Sequence, residues 1–305
     1  MLRRIFILAV PAAAIGLALF WWLTIPATVA ASALKPHTPD IGNGQTVFNA
    51  GGCSSCHATP AQPDRLQLGG GLPIGSKFGT FHVPNISPDP QDGIGNWSEA
   101  EFVTAVTKGT SPNGAHYFPA FPYGAYQHAK VEDVRDLFAY IKTLTPAVGK
   151  AQPHVVPSPF NIRRNVGIWK FLFLGGQPAI ADAARSPPWN RGSYLVNALG
   201  HCAECHSPRN ALGGIVEKQR FAGGPNPDGE GWVPNITQKG LADWSEKDIA
   251  YMLETGQTPD GDTVGGSMAR VIRNTSQLSA DDRMAMAVYL KSLPAVEGPV
   301  RPKKG

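Results

Sequence analysis

The chain has 305 residues, 42% of them apolar and 16% charged, a mix that excludes a disordered polymer. Its 34 glycines and 28 prolines, about a fifth of the chain, follow no collagen-like period, so at this length a loop-rich globular protein of two domains is expected. A formal net charge of +4, spread along the chain, argues against nucleic-acid binding, and 4 cysteines are too few for a disulfide-stapled scaffold.

Ile5 to Ile25 carries no charge and follows Arg3 and Arg4. As a helix it would reach roughly 30 Å, the thickness of a bilayer's hydrocarbon layer. Basic residues before the span and none directly after it predict a single-pass anchor with the N-terminus in the cytoplasm and the rest outside. Trp21 and Trp22 fall at the far interface, and Pro11 is tolerated in such a helix. The alternative is a cleaved signal peptide with Ala31-Ser32-Ala33 as its cleavage site, although the apolar run exceeds the roughly 7–15 residues usual for signals. Both readings export everything from Leu34 onward.

The exported chain repeats itself at an offset of 147 to 150 residues. In the first copy a helix over Gly44 to Gly51 leads into AGGCSSCHATP (Ala50 to Pro60), and VPNIS (Val83 to Ser87) follows. A second helix starts at Ser98, where Glu101 completes a capping box. After a Gly/Pro-rich loop, a third helix over Val131 to Leu144 stops before Pro146. Thr145 to Pro188 is a connection, Pro-rich and then apolar and basic through IRRNVGIWKFLFL (Ile162 to Leu174). Interdomain packing is the expected use of its aromatic residues, and a membrane-surface patch of Trp169, Phe171, Leu172 and Phe173 is the alternative. The second copy has a helix over Arg191 to Gly200, LGHCAECHSPR (Leu199 to Arg209), VPNIT (Val233 to Thr237), a helix from Ser245 with Asp248 in the capping position, and a last helix over Ser279 to Leu293. The fold class is mainly α, with no sustained strand alternation. The expected division is 1–33 for the signal anchor, 40–148 for the first domain, 149–188 for the linker, 189–297 for the second domain and 298–305 for a basic tail. A unit of about 110 residues is a duplicated domain rather than a solenoid repeat.

Both copies contain C-x-x-C-H: Cys53, Cys56 and His57, then Cys202, Cys205 and His206. Two thiols on one helical turn can add across the two vinyl groups of a haem, and the adjacent histidine then lies beneath the iron. A thioredoxin-type pair needs no following histidine and sits in a βαβ context absent here. A Cys₄ zinc site would place its pairs about 15–20 residues apart, and disulfides would leave both histidines unexplained. Two covalently bound haem c groups are therefore expected, with His57 and His206 as proximal ligands.

Each iron needs a sixth ligand. Of the 5 methionines, Met252, Met284 and Met286 lie on helices as core residues, and Met268 lies in the loop before the last helix, where its thioether can reach a distal face. The first copy has no methionine after its C-x-x-C-H. Carrying Met268 back by the repeat offset lands on Phe121 or Pro119. The nearest replacements are His116, as first choice, and His128, as second; His82, water or an open site are the alternatives.

These stretches resemble a known family. PNISPDPQDGIGNWSEAEF, NGAHYFPAFPYGAY, SPFNIRRNVGIWKFLF and DGDTVGGSMARVIRNTSQLSADDR are similar to the membrane-anchored dihaem cytochromes c of bacterial periplasmic electron transfer. Those are related to the cytochrome subunits of membrane-bound alcohol, aldehyde and sugar dehydrogenases and of periplasmic molybdenum hydroxylases. The resemblance, running from Asn43 to Pro294, implies two tandem class I cytochrome c domains behind one N-terminal transmembrane helix, with methionine at Met268. It departs at Pro119-Ala120-Phe121-Pro122-Tyr123, where relatives read P-A-M-P-Y, and at Ala129, where others have methionine.

No motif for a second cofactor or a substrate accompanies the C-x-x-C-H pair. The expected role is an electron carrier rather than an enzyme. It would sit on the cytoplasmic (inner) membrane with its haem domains in the periplasm, taking electrons from a periplasmic dehydrogenase and passing them to an oxidase, a quinone or another cytochrome. The alternative is a dihaem cytochrome c peroxidase, which the vacant methionine position favours.

Overall fold

The structure is a computed structural model that describes residues 2–150, 152–229 and 231–302, apart from the side chains of residues 2–9. Met1, the side chains of Arg3 and Arg4, and Lys303 and Lys304 of the basic tail lie outside the described residues.

Helix α1 (Leu2–Leu23) covers most of the predicted apolar span and continues through Pro11. Among the described residues no helix is long and apolar enough to cross a membrane. The end of α1 is tied to the body. Thr24 is fully buried; Arg164 donates from Nε to Thr24 Oγ1 at 2.6 Å and from its terminal nitrogen to the Trp21 carbonyl at 2.7 Å.

The first half then runs α2 (Ile41–Ala50), α3 (Cys53–His57), β1 (Pro73–Ser76), β2 (Gly79–His82), α4 (Glu99–Lys108), α5 (Tyr123–Tyr126) and α6 (Val131–Lys142). A linker helix, α7 (Val166–Phe173), leads to α8 (Pro187–Tyr194), which runs on as a π-helical turn, Leu195–Leu199. The second half continues with α9 (Ala203–His206), β3 (Gly224–Pro225), β4 (Trp232–Val233), α10 (Glu246–Thr255), α11 (Gly266–Thr275) and α12 (Ala280–Lys291). Both capping boxes are in place, Ser98 with Glu101 on α4 and Ser245 with Asp248 on α10.

Two expectations need correction. Met268 lies on the first turn of α11, not in a loop; Gly265 and Gly266 at its start read as loop, while the helix buries Ile272, Asn274 and Thr275 and half-buries Met268 one turn before Ile272. Two antiparallel ribbons also exist, β1–β2 pairing Pro73 with His82 through Ser76 with Gly79, and β3–β4 pairing Gly224 with Val233. Strands of two to four residues are too short for alternation to register.

Helix α2 packs on α6 and α8 on α12, while α4 and α10 close onto the same partners. The two long crossings share one device. A Cβ at Gly44 would collide with the Asp136 carbonyl and crowd Tyr140, and a Cβ at Gly192 would collide with the Ala285 carbonyl and crowd Tyr289. Glycine is what lets the backbones touch. Most of the buried apolar residues form a continuous cluster through both halves, from Val47 and Phe48 to Tyr289 and Leu290, and Phe81, Phe118 and Val166 form a smaller, separate one. The linker helix joins the halves: Trp169 donates from Nε1 to the Leu212 carbonyl at 3.1 Å, its ring meets Tyr123 edge-on, and Phe173 lies on Gly214. Trp169 and Phe173 thus serve packing, whereas Phe171 and Leu172 remain 62% and 52% exposed.

Candidate functional site

Each cysteine pair is presented on a single helical turn at the end of the half's first helix. Gly52 starts α3 with φ of 59°, and Cys53, Cys56 and His57 follow on that turn. In the second half Cys202 precedes α9, which carries Cys205 and His206. Among the described residues no disulfide joins any of the four cysteines. Burial pushes Cys53 up to about 12, Cys202 to about 11 and Cys205 to about 12, and raises Cys56, so they stay protonated at neutral pH.

The histidines are oriented alike. Nδ1 of His57 bonds to the Pro84 carbonyl at 2.9 Å and Nδ1 of His206 to the Pro234 carbonyl at 2.8 Å. A carbonyl only accepts, so Nδ1 carries the proton and Nε2 keeps its lone pair. Burial moves His57 down to about 4 and lowers His206, which keeps both rings neutral. The repeated V-P-N-I segment supplies the rest of this frame. Asn85 and Asn235 donate to the carbonyls of Ala147 and Val296 at 2.5 and 2.8 Å, and Gly70 and Gly223 donate to the carbonyls of His57 and His206 at 2.9 and 2.8 Å. Neutral imidazole with one nitrogen free, fixed by a carbonyl behind it and next to two thiols, is a donor set that fits haem c in both halves. Among the described residues no three His, Cys, Asp or Glu side chains gather as a metal cage.

The expected sixth ligands fare differently. Met268 is half-buried against the continuous core at the start of α11. His116 is turned to the N-terminal segment: its Nε2 donates to the Thr24 carbonyl at 2.9 Å, and Nδ1 is buried without a partner. His116, the first choice for the first distal position, thus has Nε2, the nitrogen that His57 and His206 leave free, engaged with the Thr24 carbonyl. His128 donates from Nδ1 to the Gln177 carbonyl at 2.7 Å and packs against Gly176 of the linker. His82 donates from Nδ1 to the Pro153 carbonyl at 2.8 Å. Phe121, one of the two positions onto which the repeat carries Met268, has its ring edge-on to Tyr117, Tyr123 and Tyr126.

Sequence reasoning missed the residues where the two cysteine turns meet. Tyr126 lies beside Cys53 and Cys56, where burial first and then those thiols drive its phenol well above the ordinary range. Its hydroxyl donates to the Gly51 carbonyl at 3.0 Å. His201, next to Cys202, bonds through Nε2 to the same carbonyl at 3.2 Å. On the other side α11 packs on α3: Ser54 Oγ donates to Asn274 Oδ1 at 2.8 Å, Asn274 Nδ2 to Ser55 Oγ at 2.7 Å, and Ser55 Oγ to the Arg270 carbonyl at 3.0 Å. Helix α5 packs on the Leu195–Leu199 turn of the second half as α11 packs on α2 and α3 of the first, so the halves face each other reciprocally. The only sequence signal was the contrast of AGGC with LGHC at the aligned cysteines.

Comparison with known proteins places this geometry. Residues 41–145 match the cytochrome c family. The chain is 50% identical over 279 residues to the protein named diheme cytochrome c-type from Cereibacter sphaeroides, covering 90% of this chain and 93% of that one. It is 38% identical to the fructose dehydrogenase cytochrome subunit of Gluconobacter japonicus, over 85% of this chain and 54% of that one. It is 35% identical to the cytochrome c subunit of the quinone alcohol dehydrogenase of Gluconobacter oxydans, over 84% and 55%. The chain spans about half the length of these two dehydrogenase subunits.

Proposed function

The chain belongs to the dihaem c-type cytochromes, and we propose that each half holds one haem and that the pair carries electrons from a periplasmic dehydrogenase toward the respiratory chain, as subunit or partner of that dehydrogenase. Membership of the family implies two covalently bound haem c groups, and the two C-x-x-C-H turns are the places for them. The observation that carries the reading is the duplicated turn with its imidazole pinned by a proline carbonyl, Pro84 in one half and Pro234 in the other.

Haem c supplies a one-electron couple between ferric and ferrous iron. The chain's own residues hold and tune it. Cys53 with Cys56, and Cys202 with Cys205, provide the thioether attachments from one turn each. The carbonyls of Pro84 and Pro234 keep Nδ1 protonated, so Nε2 of His57 and of His206 is the nitrogen that would hold the iron, made more basic by the bond behind it. Burial keeps both imidazoles neutral. Met268 would hold the iron of the second site as its sixth ligand, a soft donor that would favour the reduced state. In the first site the repeat offset carries that position onto Phe121 or Pro119. Helix α1, which together with its undescribed first side chains carries most of the apolar run Ile5 to Ile25, serves in this reading as the anchor in the inner membrane, with the haem-bearing halves in the periplasm. The buried Thr24 and the Arg164 bonds fix where it leaves the body. An oxidase, a quinone or another cytochrome is the acceptor.

The dihaem peroxidase alternative is not favoured, since the relatives are a diheme cytochrome c and cytochrome subunits of dehydrogenases. Hydrogen peroxide turnover by the half-reduced protein separates the two: slow turnover together with fast oxidation by an acceptor cytochrome fits the carrier, and rapid peroxide turnover overturns it.

A further inference from the structure

At the residue before the first cysteine the two halves differ. The first uses Gly52 at φ of 59°, and the second places His201 there at φ of 43°. The left-handed region costs glycine nothing and is disfavoured for a residue with a Cβ. Such a conformation persists where the surroundings over-determine it. Around His201 they do. The Gly51 carbonyl receives the His201 Nε2–H at 3.2 Å and the Tyr126 hydroxyl at 3.0 Å. One donor comes from each half, and both lone pairs are used. The two rings meet edge-on, with centroids 5.7 Å apart at 88°. Cys202 is therefore linked to Cys53 through the His201 backbone and imidazole, a single hydrogen bond, and then Gly51 and Gly52. Nothing in the attachment of either haem uses the His201 side chain.

We infer that His201 is the positioning residue that locks the two haem-attachment turns together and sets the electronic contact between the haems. The inference rests on the reading of each half as one haem site. In the exchange it serves, one electron leaves the ferrous iron of one half and reduces the ferric iron of the other. No bond is made or broken, and no proton moves. The protein's contribution is a short, fixed path between two thioether attachment points, and a bond to a buried carbonyl holds that path rigid.

The test measures the rate of electron exchange between the haems after flash reduction of the fully oxidised holoprotein by one electron per chain. Three variants are compared: His201→Gly, which suits the backbone angle; His201→Gln, whose amide reaches the same carbonyl; and His201→Leu, which keeps bulk without a donor. Exchange is expected to slow by about tenfold in H201G and H201L, with the ferric spectrum of each haem unchanged, and to return to within about twofold of the parent in H201Q. Exchange within about twofold of the parent in H201L, or in H201G with both haems bound, overturns the inference. If H201G loads a single haem, the Gln and Leu pair decides. A parent protein with fewer than two haems, or with two that exchange no electron, refutes instead the reading on which the inference rests.

Discussion

Phe121 shows how one side chain separates two otherwise matched sites. Its ring sits among three tyrosines, at a position onto which the repeat offset carries Met268, so ligand identity should differ between the haems. The far-red charge-transfer band of methionine-bound ferric haem should appear at one-haem intensity in the parent and vanish in Met268→Ala; its survival would show that another side chain binds the second iron. His116→Ala should leave both haem spectra unchanged, because that ring serves the Thr24 carbonyl; a change of the first haem to high spin would restore His116 as its ligand. The cysteines and proximal histidines were legible because a covalent chemistry dictates their spacing. The first distal position was not legible in the same way, because proximity in sequence to the vacant slot says nothing about which backbone carbonyl will claim a ring nitrogen, as Thr24 does at His116. Lys170 gives a pH dependence. Burial lowers its ammonium from 10.5 to about 7, while Nζ donates to the carbonyls of Lys108 and Gly109 at 2.7 and 2.6 Å. Between those two pH values the unfolded chain binds more protons than the folded one, so stability rises with pH across that window and this gain is lost as pH falls toward 7. The thermal midpoint should therefore increase from about pH 7 to about pH 9, and the increase should shrink in Lys170→Met. That variant should also lose about 1–3 kcal/mol at the upper pH by stranding two carbonyls. An unaltered pH slope in Lys170→Met would assign the titration to another group.

At the scale of elements, the halves are built on one repeated crossing, α2 on α6 and α8 on α12, each with a glycine at the closest approach. Gly44→Ala or Gly192→Ala should cost about 1–3 kcal/mol, because a facing backbone carbonyl rather than a flexible side chain must move. Gly265→Ala, with open space around the added carbon, should be near neutral in chemical denaturation. Equal losses at all three positions would mean that the close contacts at Gly44 and Gly192 do not decide, since helix propensity by itself favours alanine over glycine. The strongly periodic helices and their capping boxes could be read from the sequence because local hydrogen bonding and burial agree there. The β1–β2 and β3–β4 ribbons could not, since pairs this short are fixed by the chain on either side. Helix α11 was hidden by its glycine start, and the contact of Ser54 and Ser55 with Asn274 joins residues 220 and 219 positions apart, beyond any local pattern.

Taken whole, the molecule has a continuous apolar core through both halves that carries two attachment turns face to face, with α1 leaving from a buried threonine. If α1 anchors the chain, the full-length protein should resist alkaline carbonate extraction from membranes, while a chain starting at Leu34 should be released. Release of an uncleaved full-length protein would contradict anchoring, and a mature N-terminus at Leu34 would establish the signal-peptide alternative. The duplication could be read from five matching segments in the same order. What could not be read was that the copies share a core and meet at Gly51, because that depends on surfaces assembled from both. The most direct test of two electron sites in one chain is a reductive titration that counts electrons. The parent should take up two electrons per chain in two one-electron steps, and Cys202→Ala with Cys205→Ala should take up one, retaining the first-half spectrum. Uptake of a single electron by the parent, or of two by the double variant, would contradict it.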